Sequence, residues 1–295
     1  MSAALSSGWL AHRRSRLRRV RIEAGSVILG IVILIWSLTP VYNMLLIALD
    51  PEEGEIEFSG NLWPAEPSLD GFRDVVTQEA RYLEDFWHQF GNSIYIGLLT
   101  MFLTVLIGSL ASFAVSRMRL SRGSLLTNTA LLTYAIPASF LIVPYYRIMH
   151  SYGLSNSLWA VIAAQVAFAI PFAILILQLY GSLIPLELDD AARVDGASAI
   201  QVYLRIYLPL MMPALAVVAV YGLLLAWNDY LYQAVLLRPQ NTTVSVIQGQ
   251  LFADVDAPWN AMMAAAIIYV LPPIVLLFAL RRHVTASLTM GDVAV

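Results

Sequence analysis

The chain has 295 residues, 59% of them hydrophobic and 13% charged, with a net charge of −3. Soluble domains carry about 25% charged residues, so this balance describes a membrane protein rather than a soluble enzyme or a nucleic-acid binder. Cysteine is absent, which excludes disulfides, thiol nucleophiles and thiolate metal sites; all 17 basic residues are arginine, which excludes a Walker A lysine and Schiff-base chemistry on this polypeptide.

In chain order, residues 1–23 form an arginine-rich tail with Arg13, Arg14, Arg16, Arg18, Arg19 and Arg21. Residues 24–48 follow as a first span. Its apolar run exceeds the 7–15 residues of a signal-peptide core, and Trp36, Pro40 and Tyr42 interrupt it as they would a retained helix. Residues 49–91 are an acidic loop punctuated by Pro51, Gly60, Pro64, Pro67 and Gly71. The remaining apolar runs, Asn92–Ser116, Ser124–Tyr146, Ser157–Ser182, Leu210–Val235 and Ala261–Leu280, are each long enough to span. They form a five-helix core over 92–280, followed by a tail at 281–295. The expected fold is an all-α polytopic membrane protein with six transmembrane helices.

Arginine placement sets the expected orientation. Thirteen arginines lie in the N-terminal tail, at Arg117, Arg119 and Arg122, at Arg193 and Arg205, and at Arg281 and Arg282; the intervening loops hold only four, Arg73, Arg81, Arg147 and Arg238. Positive-inside bias then puts both termini in the cytoplasm and the acidic loop outside. Gly108, Ser112 and Ser116 have the small-xxx-small spacing that lets helices approach closely, although small residues occur in any span. Pro137 and Pro171 fall inside the third and fourth spans, where each removes a backbone hydrogen bond; a packing kink and a gating role are both open.

The cytoplasmic loop over 186–209 reads LELDDAARVDGASAIQVYLRIYLP. Its start has helical spacing, with Leu188, Ala191, Ala192 and Asp195 on one nearly flat face. Glu187, Asp189 and Asp190 suit the helix N-terminus, and Gly196 is placed as a left-handed terminator. Ser198 can cap a second helix, and Pro209 stands at the start of the next span. Interfacial lipid-binding helices are basic with bulky apolar faces. This helix is acidic with a small-residue face, which points to a docked protein.

Asp190, Ala191, Ala192, Asp195, Gly196, Ala197, Leu208 and Pro209 resemble the EAA loop of binding-protein-dependent ABC importer permeases. Asn92-Ser93, Pro171-Phe172, the Trp227-Asn228-Asp229 triplet and the Leu288-Thr289-x-Gly291 tail are similar to the carbohydrate-importing branch, in particular to the shorter permease of maltose-type systems. The resemblance implies a type I importer permease fold. Its cytoplasmic EAA helix would couple to the ATPase through Glu187, Asp189, Asp190, Ala191, Ala192, Asp195, Gly196 and Ala197. It also implies a second permease, two cytoplasmic ABC ATPases, an external solute-binding protein and a bacterial or archaeal inner membrane. No cofactor is expected on this chain, ATP and magnesium belonging to the ATPase. One departure is Asp189-Asp190 where glutamates are usual.

Sugar sites combine aromatic faces with a few hydrogen-bonding groups. Candidate pathway residues are Gln165, Tyr221, Trp227, Asn228, Asp229 and Tyr230, although Asp229, Trp227 and Tyr230 also fit an outer interface with its aromatic belt. The alternative function is a secondary transporter driven by an ion gradient, which calls for inverted repeats and ionisable groups in mid-membrane. A membrane enzyme would need converging groups, whereas His12, His88, His150 and His283 all lie at or beyond span ends.

Overall fold

In a bilayer every backbone N–H and C=O must be satisfied within the segment, so long apolar runs fold as helices. The computed structural model describes residues 2–51, 62–80, 83–118, 123–252 and 257–290, and all regular structure among them is helical. Arg119, Arg122, Gly291 and residues 52–61 and 81–82 of the acidic loop lie outside the described residues.

Among the described residues, five helical stretches are long and apolar enough to cross a membrane: Ile22–Ala48, Phe86–Arg117, Leu158–Gly181, Ala199–Trp227 and Trp259–His283. The expected third span is not one helix. It comes as two helices, Gly123–Leu132 and Ala138–Ser151, separated at Ile136–Pro137. Proline lacks an N–H and disfavours helical backbone at the residue before it, and Ile136 is extended with ψ 118°. Pro171, by contrast, stays inside its helix. The expected fifth span also ends early, at Trp227, and a short helix follows after Asn228–Tyr230.

The chain divides into two compact units. The first comprises Met1–Arg73 and Pro258–Ile267. It contains α1 (Ser2–Ala48), whose apolar side chains from Val27 to Leu38 are exposed, Trp36 to 82%. Exposure on this scale suits contact with lipid or another membrane chain. After α1, the Ser68 N–H donates to the Leu49 carbonyl at 2.8 Å and Asn260 Nδ2 to the Asp50 carbonyl at 3.3 Å. The first turn of α2 (Asp70–Thr77) begins here, with Gly71 so close to Asn260 that an added Cβ would lie 2.8 Å from the Asn260 carbonyl carbon.

The second unit comprises Asp74–Ala257 and Ile268–Val295. Its elements are α3 (Phe86–Arg117), α4 (Gly123–Leu132), α5 (Ala138–Ser151), α6 (Leu158–Gly181), α7 (Glu187–Val194), α8 (Ala199–Val202), α9 (Leu208–Trp227), α10 (Leu231–Leu236) and α11 (Val244–Leu251), with the later part of α12 (Trp259–Met290). A π-helical turn, Tyr203–Tyr207, joins α8 to α9 without a break. Helices α3, α6 and α9 pack on one another. One apolar cluster gathers Ile96, Val161, Ile162 and Leu236; another, toward the α7–α8 end, gathers Phe113, Leu177, Tyr207, Met211 and Val218.

The small residues of α3 divide by role. At Gly108 an added Cβ would lie 2.9 Å from the Ala173 Cβ of α6, so this position is a close helix contact. Ser112 is fully buried and accepts a hydrogen bond, and Ser116 donates to the Ser112 carbonyl at 2.7 Å. Gly108→Val is expected to lower stability by about 1–3 kcal/mol, the range for overpacking a filled contact, and Ala173→Gly in the same chain should restore part of it. Thermal unfolding of the purified chain in detergent checks both.

Candidate functional site

The segment over 186–209, expected to couple to an ATPase, is built from local chemistry. Helix α7 carries Glu187, Asp189 and Asp190 in its first turn, where the helix dipole favours negative charge. Gly196 sits at φ +86°. Its N–H donates to the Arg193 carbonyl at 3.0 Å and the next, Ala197 N–H, to the Ala192 carbonyl at 2.9 Å, which is a Schellman stop. Ser198 then starts α8 with a reciprocal capping box: its side chain accepts from the Gln201 N–H, and Gln201 Oε1 accepts from the Ser198 N–H.

The predicted coupling residues do not all share a face. Leu188, Ala191 and Asp195 are exposed, as are Glu187, Asp190 and Gly196. Ala192 and Ala197 are half-buried and pack on the apolar cluster around Tyr207. Asp189 is buried, at 4% exposure. It points at Arg117 of α3, Oδ2 to Nη1 at 3.4 Å, with both side chains almost wholly enclosed. The outward surface includes apolar residues that sequence reasoning passed over: Val194 at 87% exposure, Ile200, Leu204 and Leu186. Solvated loops rarely expose such a group of side chains without a partner to cover them. Their signal in the sequence was plain hydrophobicity within a polar loop.

A polar seam fastens this segment to α3. Tyr203 Oη pairs with Ser109 Oγ at 2.7 Å, and Tyr207 Oη donates to Ser112 Oγ at 3.1 Å. The Phe113 ring meets both tyrosine rings edge-on, at 5.3 and 5.1 Å. Nothing local in the sequence pairs these residues; the π-helical turn brings the two tyrosines round to α3.

A second site lies at the other end of α6 and α9. A cavity of about 240 Å³ opens beside the Ile136–Pro137 break and is lined by Tyr134, Gln165, Phe168, Tyr221, Asp229 and Tyr232. Gln165 is seven residues from the start of α6 and Tyr221 six from the end of α9. At 1.5 Å per residue both sit roughly 10 Å in from the helix ends. Tyr134 Oη donates to the Phe168 carbonyl at 2.6 Å, Tyr232 Oη to the Ala138 carbonyl at 2.7 Å, and the Tyr221 ring packs on Phe172 at 4.1 Å. Beyond the end of α9, Asp229 accepts from the Gln233 N–H at 3.2 Å and thereby anchors the start of α10. Burial raises the pKa of its carboxyl above the ordinary value, opposed by bonds from the Gln233 and Tyr232 amides and the Gln165 side chain.

Of the six predicted pathway residues the cavity therefore gathers Gln165, Tyr221 and Asp229. Trp227 turns elsewhere: its ring stacks on Tyr269 at 4.6 Å, and it lines an apolar cleft of about 560 Å³ with Trp87, Phe90 and Pro272. Asn228 Nδ2 donates to the Leu224 carbonyl at 2.9 Å as a helix terminator, and Tyr230 is 46% exposed, its ring beside Gly249. Tyr134, Phe168 and Tyr232 are lining residues that the sequence did not single out.

The fold has counterparts among solved structures. Over 89–96% of both chains, two solved structures share the architecture: a bacterial ABC transporter involved in the import of the acidic polysaccharide alginate (TM-score 0.70, 19% identity, 90% of this chain and 96% of that one) and the bacterial alginate ABC transporter in complex with an alginate pentasaccharide-bound periplasmic protein (TM-score 0.64, 16% identity, 89% and 93%). Among curated proteins, the inner membrane ABC transporter permease protein YcjP of Escherichia coli (strain K12) is 29% identical, covering 96% of this chain and 99% of its own length. The trehalose transport system permease protein SugB of Mycobacterium tuberculosis (strain CDC 1551 / Oshkosh) is also 29% identical, covering 90% and 96%. The arabinooligosaccharides transport system permease protein AraQ of Halalkalibacterium halodurans is 29% identical over 86% and 90%. The family model for binding-protein-dependent transport system inner membrane components matches residues 26–290. The chain belongs to that family.

Proposed function

We infer that the chain is a permease subunit of an ATP-driven importer for a sugar or oligosaccharide. It forms the translocation pathway with a second permease, is driven by two cytoplasmic ABC ATPases and receives solute from an external binding protein. The observation that carries this reading is the coupling segment. A short acidic helix stopped by Gly196 at φ +86° exposes an apolar group on a loop joined continuously to a spanning helix. Such a surface serves a docked partner, and a push on it reaches the span. The sugar class is supported by the trehalose and arabinooligosaccharide permeases among the relatives and by the aromatic, hydroxyl- and amide-lined cavity. Gln165, Tyr221 and Asp229 are the residues of the predicted set that fit a pathway; Trp227, Asn228 and Tyr230 fit packing and capping better.

In the same reading both termini, residues 1–23 and 281–295, are cytoplasmic, the 49–91 loop is external, and the 92–280 core carries the coupling loop at 186–209. The chain itself is non-catalytic and binds no cofactor. A chain without lysine has no Walker A loop, so ATP and magnesium sit on the partner ATPases. Family membership argues against the ion-driven carrier.

Reconstitution tests this directly. Alone in liposomes the chain should neither hydrolyse ATP nor move trehalose or maltose down an imposed ion gradient. Together with the neighbouring permease, ATPase and binding protein of its host it should show binding-protein-stimulated ATP hydrolysis. Gradient-driven uptake by the isolated chain would overturn the proposal.

A further inference from the structure

Arg117 has a role that neither family membership nor the coupling helix alone requires. Its guanidinium stands where four elements meet. From the last residue of α3, Nη1 lies 3.4 Å from Asp189 Oδ2 of α7. Nη2 donates to the Gly181 carbonyl at 3.1 Å, at the C-terminus of α6, and to the Ile184 carbonyl at 3.2 Å, in the turn that follows it. The charge also sits 5.9 Å from the centre of the Tyr207 ring, on the π-helical turn leading into α9.

The side chain is 3% exposed, and neither Arg117 Nη1 nor Asp189 Oδ2 has a hydrogen-bond partner that would substitute if the two separated. A buried charge stripped of its counter-charge is strongly unfavourable, far more so than parting two apolar surfaces. The pair therefore resists any motion that slides α7 away from α3.

We propose that Arg117 is the transmission joint of this subunit: through it a displacement of α7 is carried to α3 and α6, and not only along the covalent path through α8 to α9. This rests on the importer reading above. The joint makes α3, α6 and α7 move as one body at the cytoplasmic end. The Tyr203–Ser109 and Tyr207–Ser112 contacts bind α9 to the same body.

The chain has no cysteine, so spin labels can be placed at will. With Leu110→Cys on α3 and Arg193→Cys on α7, both exposed positions, the label separation is measured in the assembled complex, nucleotide-free and then trapped with ADP and vanadate. In the otherwise unmodified chain the separation should stay the same, within about 1 Å, between the two states. With Asp189→Asn it should change by more than about 2 Å, the size of an ordinary helix shift, and binding-protein-stimulated ATP hydrolysis should fall at least about fivefold. Asp189→Glu, which keeps the charge, should restore the constant separation. Should Asp189→Asn fail to assemble, Arg117→Gln, which removes the cation instead, takes its place with the same two expectations. A separation that changes in the unmodified chain, or that stays constant without the ion pair, overturns the proposal. A complex that traps no nucleotide at all overturns instead the importer reading beneath it.

Discussion

Gly196→Val is expected to leave the protein inserted in the membrane at normal level and to abolish both transport and binding-protein-stimulated ATP hydrolysis. The reason is conformational. Gly196 adopts φ +86°, and a Cβ added there would meet nothing within 4 Å, so space is not what forbids a side chain. An L-residue in that region costs roughly 1–2 kcal/mol, and a β-branched one more because its branch crowds the backbone. Valine would relax toward negative φ, breaking the Ala197–Ala192 and Gly196–Arg193 bonds that stop α7 and set the exit toward α8. The exposed group Leu188, Val194 and Ile200 would then no longer be presented in one arrangement. A graded series separates this account from simple loss of a small residue. Asparagine, which tolerates left-handed backbone, should retain the most activity, alanine an intermediate amount, and valine none. Uptake by the valine variant at the unmodified rate, with protein amount checked by immunoblot, would remove Gly196 from the coupling mechanism.

Arg117→Met should destabilise the second unit by about 3–5 kcal/mol, the range for removing one member of a buried ion pair. Methionine fills much of the same volume, so the loss is electrostatic. It leaves Asp189 buried at 4% exposure without its cation and removes the guanidinium bonds to the Gly181 and Ile184 carbonyls. The double variant Arg117→Met, Asp189→Leu removes both charges and should be more stable than Arg117→Met alone. Its remaining deficit should be about 1–3 kcal/mol, the scale for leaving buried acceptors unpaired. Thermal unfolding in detergent reads the two differences. Equal stability of the single and double variants would mean that Asp189 is not held by this arginine.

Much of the architecture was legible because it depends on near neighbours in sequence. Apolar runs longer than the bilayer is thick form helices wherever they occur, and α3, α6 and the span ending at Trp227 lie close to their expected runs. The turn at Gly196 and the cap at Ser198 are likewise decided within four or five residues, by left-handed backbone and a capping box. What failed was continuity. Both Pro137 and Pro171 interrupt apolar runs, yet only the first breaks its helix. A proline's effect depends on whether neighbouring groups satisfy the freed carbonyl, which no local pattern records. The end of α9 at Trp227 was missed for a related reason: Leu210–Val235 is apolar almost throughout, and the break comes from Asp229 gathering the first N–H groups of α10.

The amino-acid sequence by itself determined that this is a helical membrane protein without an ATP-binding loop of its own, and that one polar loop between spans carries a helix–turn–helix. Composition and short-range backbone chemistry suffice for that. Only the tertiary structure decided which of two adjacent acids turns inward: Asp189 meets Arg117 while Asp190 faces out, although both carry the same side chain. It alone brought Gln165, Tyr221 and Asp229 to one cavity and sent Trp227 to another. Those outcomes follow from how α3, α6 and α9 rotate against one another at glycine and serine contacts, a packing choice made between segments far apart in the chain.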